Sequence, residues 1–172
     1  MPLPFPPFEM TAIEAADTSL AAGSAFAYLH VNLTSSFRAT IGGSYDVLDG
    51  QIQRDLSQFN PKVGLTWRLN PDTSVRLAAV RTLQGPFVSK QNIQPRLEPT
   101  HVAGFNQFFF GSEGEDARRY GVGVDHRVSN RWFVGGEVAR RDVDTPVTLI
   151  TPDSPLPSLA IVPVEEMLGR MY

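Results

Sequence analysis

The sequence predicts an all-β chain: an antiparallel up-and-down meander of about seven to eight strands, forming a transmembrane β-barrel segment that is open or partly closed. Three observations predict it. Apolar and polar residues alternate over runs of 9–11 residues, and a period of two over that length marks a strand with two chemically different faces. Runs of this length suit a tilted strand crossing a bilayer, which takes ~9–11 residues, whereas soluble strands are typically ~5–6. Aromatic residues on the apolar faces sit near strand ends, and short turns are set against long connections, as membrane barrels arrange them.

The elements follow in order. Residues 1–23 form an N-terminal Pro/Ala-rich segment or loop, with a short helix expected at about 13–22. Residues 24–143 carry the transmembrane strands. The first, 24–33, places Ala25, Ala27, Leu29, Val31 and Leu33 on one face. In 37–47, Phe37, Ala39, Ile41, Gly43, Tyr45 and Val47 oppose Arg38, Thr40, Gly42, Ser44 and Asp46. In 59–69, Phe59, Pro61, Val63, Leu65, Trp67 and Leu69 oppose Asn60, Lys62, Gly64, Thr66 and Arg68. Asn70-Pro71-Asp72-Thr73 reads as a type I turn, with proline pre-set for its second position. A strand at 74–82 follows, then a weaker one at about 101–110. In 118–128, Tyr120, Val122, Val124 and Val128 oppose Arg119, Gly121, Gly123, Asp125 and Arg127. Ser129-Asn130 turns the chain into 131–141, where Trp132, Val134 and Val138 oppose Glu137 and Arg141. Residues 144–172 hold a Pro-rich loop and a truncated next strand from Glu165.

This count leaves one topological question open. With a spanning strand at 101–110, the short turns at 70–73 and 129–130 fall at opposite ends. Either 84–96 contains another crossing, or 101–110 is folded into a loop and does not span.

Composition narrows the function classes. The longest apolar runs are far short of the ~20 residues of a membrane-spanning helix. Fifteen basic against eighteen acidic residues give a net charge of −3, which offers no footprint for nucleic acid. Zero cysteines exclude disulfides, thiolate zinc sites and cysteine nucleophiles. The start Met1-Pro2-Leu3-Pro4 lacks the basic and apolar regions of a signal peptide, so the chain is expected to be an internal piece of a longer exported protein, or not exported.

No catalytic, cofactor-binding or metal-binding residues are expected, and no cofactor. His30, His101 and His126 are far apart with no paired spacing. Gly121-Val122-Gly123 sits inside a strand and lacks the third glycine of a dinucleotide loop. Glu113-Gly114-Glu115-Asp116 reads as a solvated acidic loop, since calcium-loop spacing is missing. The candidate residues are structural. Arg38, Asp46, Lys62, Arg68, Arg76, Arg119, Asp125, Arg127 and Glu137 are candidates to face a lumen, because charge on a lipid face is costly. Their excess of basic residues would favour anionic solutes, unless they pair across strands, which is the preferred reading. Glycines on this face leave room for an aromatic, a plug or a solute. Phe37, Tyr45, Phe59, Trp67, Tyr120 and Trp132 are candidates for the aromatic girdles. The alternative to a membrane barrel is a soluble antiparallel β-sandwich acting as a binding module, with the apolar face inside.

Phe59-Asn60-Pro61-Lys62-Val63-Gly64-Leu65-Thr66-Trp67-Arg68 with the turn and strand after it, Leu97-Glu98-Pro99, and Arg118 to Asp125 resemble the barrels of TonB-dependent receptors and porin-like proteins. The resemblance covers about 24–143. It implies a barrel portion in the Gram-negative outer membrane that takes part in solute transport as structural wall, without catalysis. The partners it implies are outer-membrane lipid, the rest of a barrel and a TonB-type energy-coupling system. Neither a plug nor a TonB-box-like segment is recognisable in these residues.

Overall fold

The computed structural model describes residues 20–50, 56–85, 98–107, 111–149 and 158–172. Of the short helix expected at 13–22, residues 13–19 lie outside the described residues. The remainder, 20–22, belongs to the first strand, because it pairs with residues 48–50.

Nine strands follow one another, with no helix among the described residues. They are β1 (Leu20–Asn32), β2 (Phe37–Gly50), β3 (Leu56–Asn70), β4 (Thr73–Leu83), β5 (His101–Val102), β6 (Phe105–Asn106), β7 (Asp116–Arg127), β8 (Phe133–Leu149) and β9 (Ser158–Met171). Seven form one antiparallel sheet in the order β1-β2-β3-β4-β7-β8-β9, with β1 and β9 at its open edges. This is the meander that the period-two pattern implies.

β5 and β6 pair only with each other. Of the two resolutions left open above, 101–106 is the folded-in segment. It makes a hairpin with a two-residue turn in which Ala103 and Gly104 both have positive φ, 48° and 84°. That handedness suits the twist of a tight hairpin. Since the hairpin does not cross, β4 is followed directly by β7 in the sheet. The connections 33–36, 71–72 and 128–132 therefore all lie at one end, and the long ones at the other. Several strands outrun the sequence reading. β2 reaches Gly50, and β8 continues through Pro146 to Leu149.

The burial pattern is inverted relative to a soluble sheet. Along β3, the polar positions Asn60 and Lys62 are 0% and 1% exposed, while Phe59 and Val63 on the other face are 60% and 49% exposed. Ser44, Arg119 and Arg141 are likewise buried, and Ile41, Tyr45, Val122 and Val138 are exposed. The hairpin lies across part of this polar face, over Gly64, Gly121, Arg76 and Arg119. The small apolar core is made there, by Ala78 and Val80 of β4 with Val102 and Phe105 of the hairpin.

Candidate functional site: the polar face and its hairpin

The hairpin is seated by glycines and held by cations. Gly64 and Gly121 lack the side chains that would collide with it: a Cβ at Gly64 would come 2.7 Å from Val102, and one at Gly121 would come 2.5 Å from the Phe105 ring. The guanidinium groups of Arg76 and Arg119 lie 5.1 and 5.7 Å from the centre of that ring, within cation–π range. The same two arginines donate to the hairpin backbone, Arg76 to the Ala103 carbonyl at 3.3 Å and Arg119 to the Asn106 carbonyl at 2.7 Å. At the base of the hairpin, Lys62 forms an ion pair with Glu98. Glu98 also accepts from the Tyr28 hydroxyl at 2.6 Å. Gln107 donates to Tyr28 at 3.0 Å and to the Pro99 carbonyl.

A second network lies on the β7–β9 side. Asp125 accepts from Arg76 at 2.6 and 3.2 Å and from the Tyr172 hydroxyl at 2.7 Å. Glu137 stands 3.7 Å from Arg76 and 3.9 Å from Arg119. Between this network and the hairpin is a cavity of about 740 Å³. Towards the long-loop end, Arg141 pairs with Glu115 at 2.5 Å and with Glu166 at 3.1 Å. Arg81 pairs with Asp116, also at 2.5 Å. Two carboxylates of the acidic stretch 113–116 are thus held by arginines.

A family model described as "TonB dependent receptor-like, beta-barrel" matches residues 4–158. The chain belongs to that family. No curated protein and no solved structure matches it.

Within this TonB-dependent receptor-like barrel domain, the sequence candidates divide into two groups. Asp46, Lys62, Arg76, Arg119, Asp125 and Glu137 lie on the covered face, around the hairpin or beside it. Arg38, Arg68 and Arg127 are exposed near the tight-turn end, where Arg38 donates to Asn32 at 3.1 Å and Arg127 pairs with Asp72. Of the aromatic candidates, Phe37 and Trp67 are register partners stacked at 5.1 Å. Tyr45 and Phe59 are partners eight residues farther along the same strands. Tyr120 is exposed on β7 opposite Arg140, and Trp132 is exposed in the 128–132 connection. His30, His101 and His126 are separate, each bonded to a threonine hydroxyl.

Sequence reasoning missed Tyr28, Glu98, Gln107, Arg170 and Tyr172. Parity alone puts Tyr28 on the polar side of β1, opposite Ala27 and Leu29. That was the available signal for one of them. Glu98 carries no such signal, because it lies outside any periodic run.

Proposed function

We propose that this domain is membrane-embedded wall of a solute-transporting barrel in the Gram-negative outer membrane, with no catalysis of its own. On this reading the exposed face meets lipid, the covered face lines the lumen, and the hairpin narrows the passage. The observation that carries it is the inverted burial, with Lys62 at 1% and Val63 at 49% exposure on adjacent positions of one strand. A soluble sandwich would require the reverse. Aromatic spacing adds support. The Phe37–Trp67 and Tyr45–Phe59 pairs stand eight residues apart, a span of about 26 Å at ~3.3 Å per residue, or about 20 Å of depth at a tilt near 40°. That approaches the ~25 Å apolar band of outer-membrane barrels.

Strand stagger supports the same reading for Tyr120. It lies seven residues from the β7 end at Arg127, much as Tyr45 lies eight from the β2 start at Phe37. Arg118, Asp142 and Asp144, on the exposed face, all lie beyond Tyr120 or its partner Arg140 on the long-loop side. Those charges then sit in water above the lipid. Outer-membrane lipid and further barrel strands are the partners this reading requires, and a TonB-type coupling system is the one the family adds.

The test is refolding of the purified chain with and without detergent micelles or lipid vesicles, followed by circular dichroism and protease protection. Protected β-structure that forms only with amphiphile is expected. A monomeric, well-folded β protein in plain buffer would favour the soluble sandwich instead.

A further inference from the structure

The charged side chains around the hairpin are largely engaged with one another, and Arg170 differs from them. Arg170, on the edge strand β9, is the register partner of Glu137 on β8. Directly opposed residues of an antiparallel pair share a face, and opposite charges placed so normally pair. Here Glu137 is directed instead to Arg76 and Arg119. Arg170 is exposed, lines the 740 Å³ cavity and makes no ion pair among the described residues.

The charge balance around that cavity is uneven. Arg76, Arg119 and Arg170 supply three positive charges against Asp125 and Glu137, a surplus of one (three minus two). Neither carboxylate is available to hold a cation, because Asp125 already accepts from Arg76 and Tyr172, and Glu137 is shared between two guanidinium groups. The volume lies in the range of small-molecule sites, roughly 300–1,000 Å³. In a recess partly screened from water, the attraction of the surplus charge for an anion exceeds its value at an open surface.

We infer that the cavity between the β5–β6 hairpin and β7–β9 is a binding site for a small solute bearing carboxylate or phosphate groups, with Arg170 as its principal contact. The inference rests on the transport reading above, and it places the site beside the hairpin, because Arg170 and Glu137 share a register row with Gly123, which faces Phe105. An arginine fork matches either oxyanion by paired hydrogen bonds. The solute thus meets a charged stop alongside the hairpin.

The test is calorimetric titration of the chain folded in detergent micelles with citrate, inorganic phosphate and choline, at one fixed salt concentration. Citrate or phosphate is expected to bind and choline is not. Arg170→Gln should weaken the anion at least tenfold, Arg170→Lys, which keeps the charge but loses the paired hydrogen bonds, should bind with intermediate affinity, and Arg131→Gln, in the exposed 128–132 connection, should change nothing. Absence of anion binding, equal affinity in Arg170→Gln, or preference for choline would overturn the inference. So would capture of an acidic peptide in place of citrate, which would assign the cavity to a protein segment. Protease protection in micelles is read separately for each variant. Loss of anion binding with the fold intact therefore removes this site alone, whereas failure to fold in micelles removes the transport reading.

Discussion

Phe105 fills the space that a side chain at Gly121 would need, since a Cβ there would stand 2.5 Å from its ring. The wall and the hairpin are therefore complementary here, as they are where Gly64 faces Val102. Phe105 is buried between the guanidinium groups of Arg76 and Arg119, so its ring cannot simply swing aside. Gly121→Val is expected to weaken hairpin docking by about 1–3 kcal/mol, the usual cost of overpacking. The measurement is protease cleavage within 98–107 of the detergent-folded chain, which should rise while the circular dichroism of the sheet is unchanged. Gly136→Val is the comparison. A Cβ at Gly136 meets nothing closer than 3.6 Å, so cleavage should stay at the parent level.

The Lys62–Glu98 pair predicts a non-additive double mutant. The Lys62 side chain is 1% exposed and that of Glu98 11%, so neither charge is well solvated. Glu98→Gln takes the carboxylate away from a buried ammonium and is expected to cost about 3–5 kcal/mol. Lys62→Met in the Glu98→Gln background should recover much of that loss, because the buried ammonium left without its carboxylate is then gone. Equilibrium unfolding of the four proteins in micelles measures the coupling. Additive effects would show that the two side chains are independently solvated.

Ile41 and Val63 are register partners, each midway between the two aromatic pairs. Ile41→Arg or Val63→Arg puts charge at the centre of the exposed apolar face. In lipid this is expected to cost about 2–4 kcal/mol per substitution, the midplane value for outer-membrane barrels. At a solvated surface the change would be within about 0.5 kcal/mol. Folding yield into lipid vesicles, compared with Val63→Leu, tells the two apart.

Most of the sheet was legible in the sequence, because its strands are long and two-faced. Five positions of one face alternating with four of the other, from Phe37 to Tyr45 or from Phe59 to Trp67, leave little freedom in which face is which, and Asn70-Pro71-Asp72-Thr73 supplies a turn of defined type. The hairpin was not legible as such. Its strands have two residues each, too few for any period, and its anchors are remote in sequence: Glu98 to Lys62 across 36 residues, Gln107 to Tyr28 across 79. The far end of β8 was hidden for a different reason. Proline reads as a strand breaker, yet Pro146 stands within the β8–β9 ladder opposite Ile161. The cavity escaped because it depends on a partner choice, Glu137 turning to Arg76 and Arg119 in place of Arg170, that alternation does not encode.

The protein has only two tryptophans, and both lie at the tight-turn end, Trp67 in the row with Phe37 and Trp132 in the 128–132 connection. Indole rings favour the headgroup level, where the ring is apolar and the N–H is wet. If the tight-turn end marks one membrane interface, both tryptophans report the same shallow depth without any engineered probe. Lipids brominated close to the headgroup should quench the fluorescence of vesicle-folded protein more strongly than lipids brominated near the chain end. The single-tryptophan variants Trp67→Phe and Trp132→Phe should give the same order of quenching. Trp67 carries the sharper test, because it is stacked on Phe37 at 5.1 Å and its ring position follows the strand. Stronger quenching of Trp67 by chain-end bromine would move the aromatic row to the bilayer centre. The strands would then be too short on that side to cross, and the girdle assignment of Phe37 and Trp67 would fail with them.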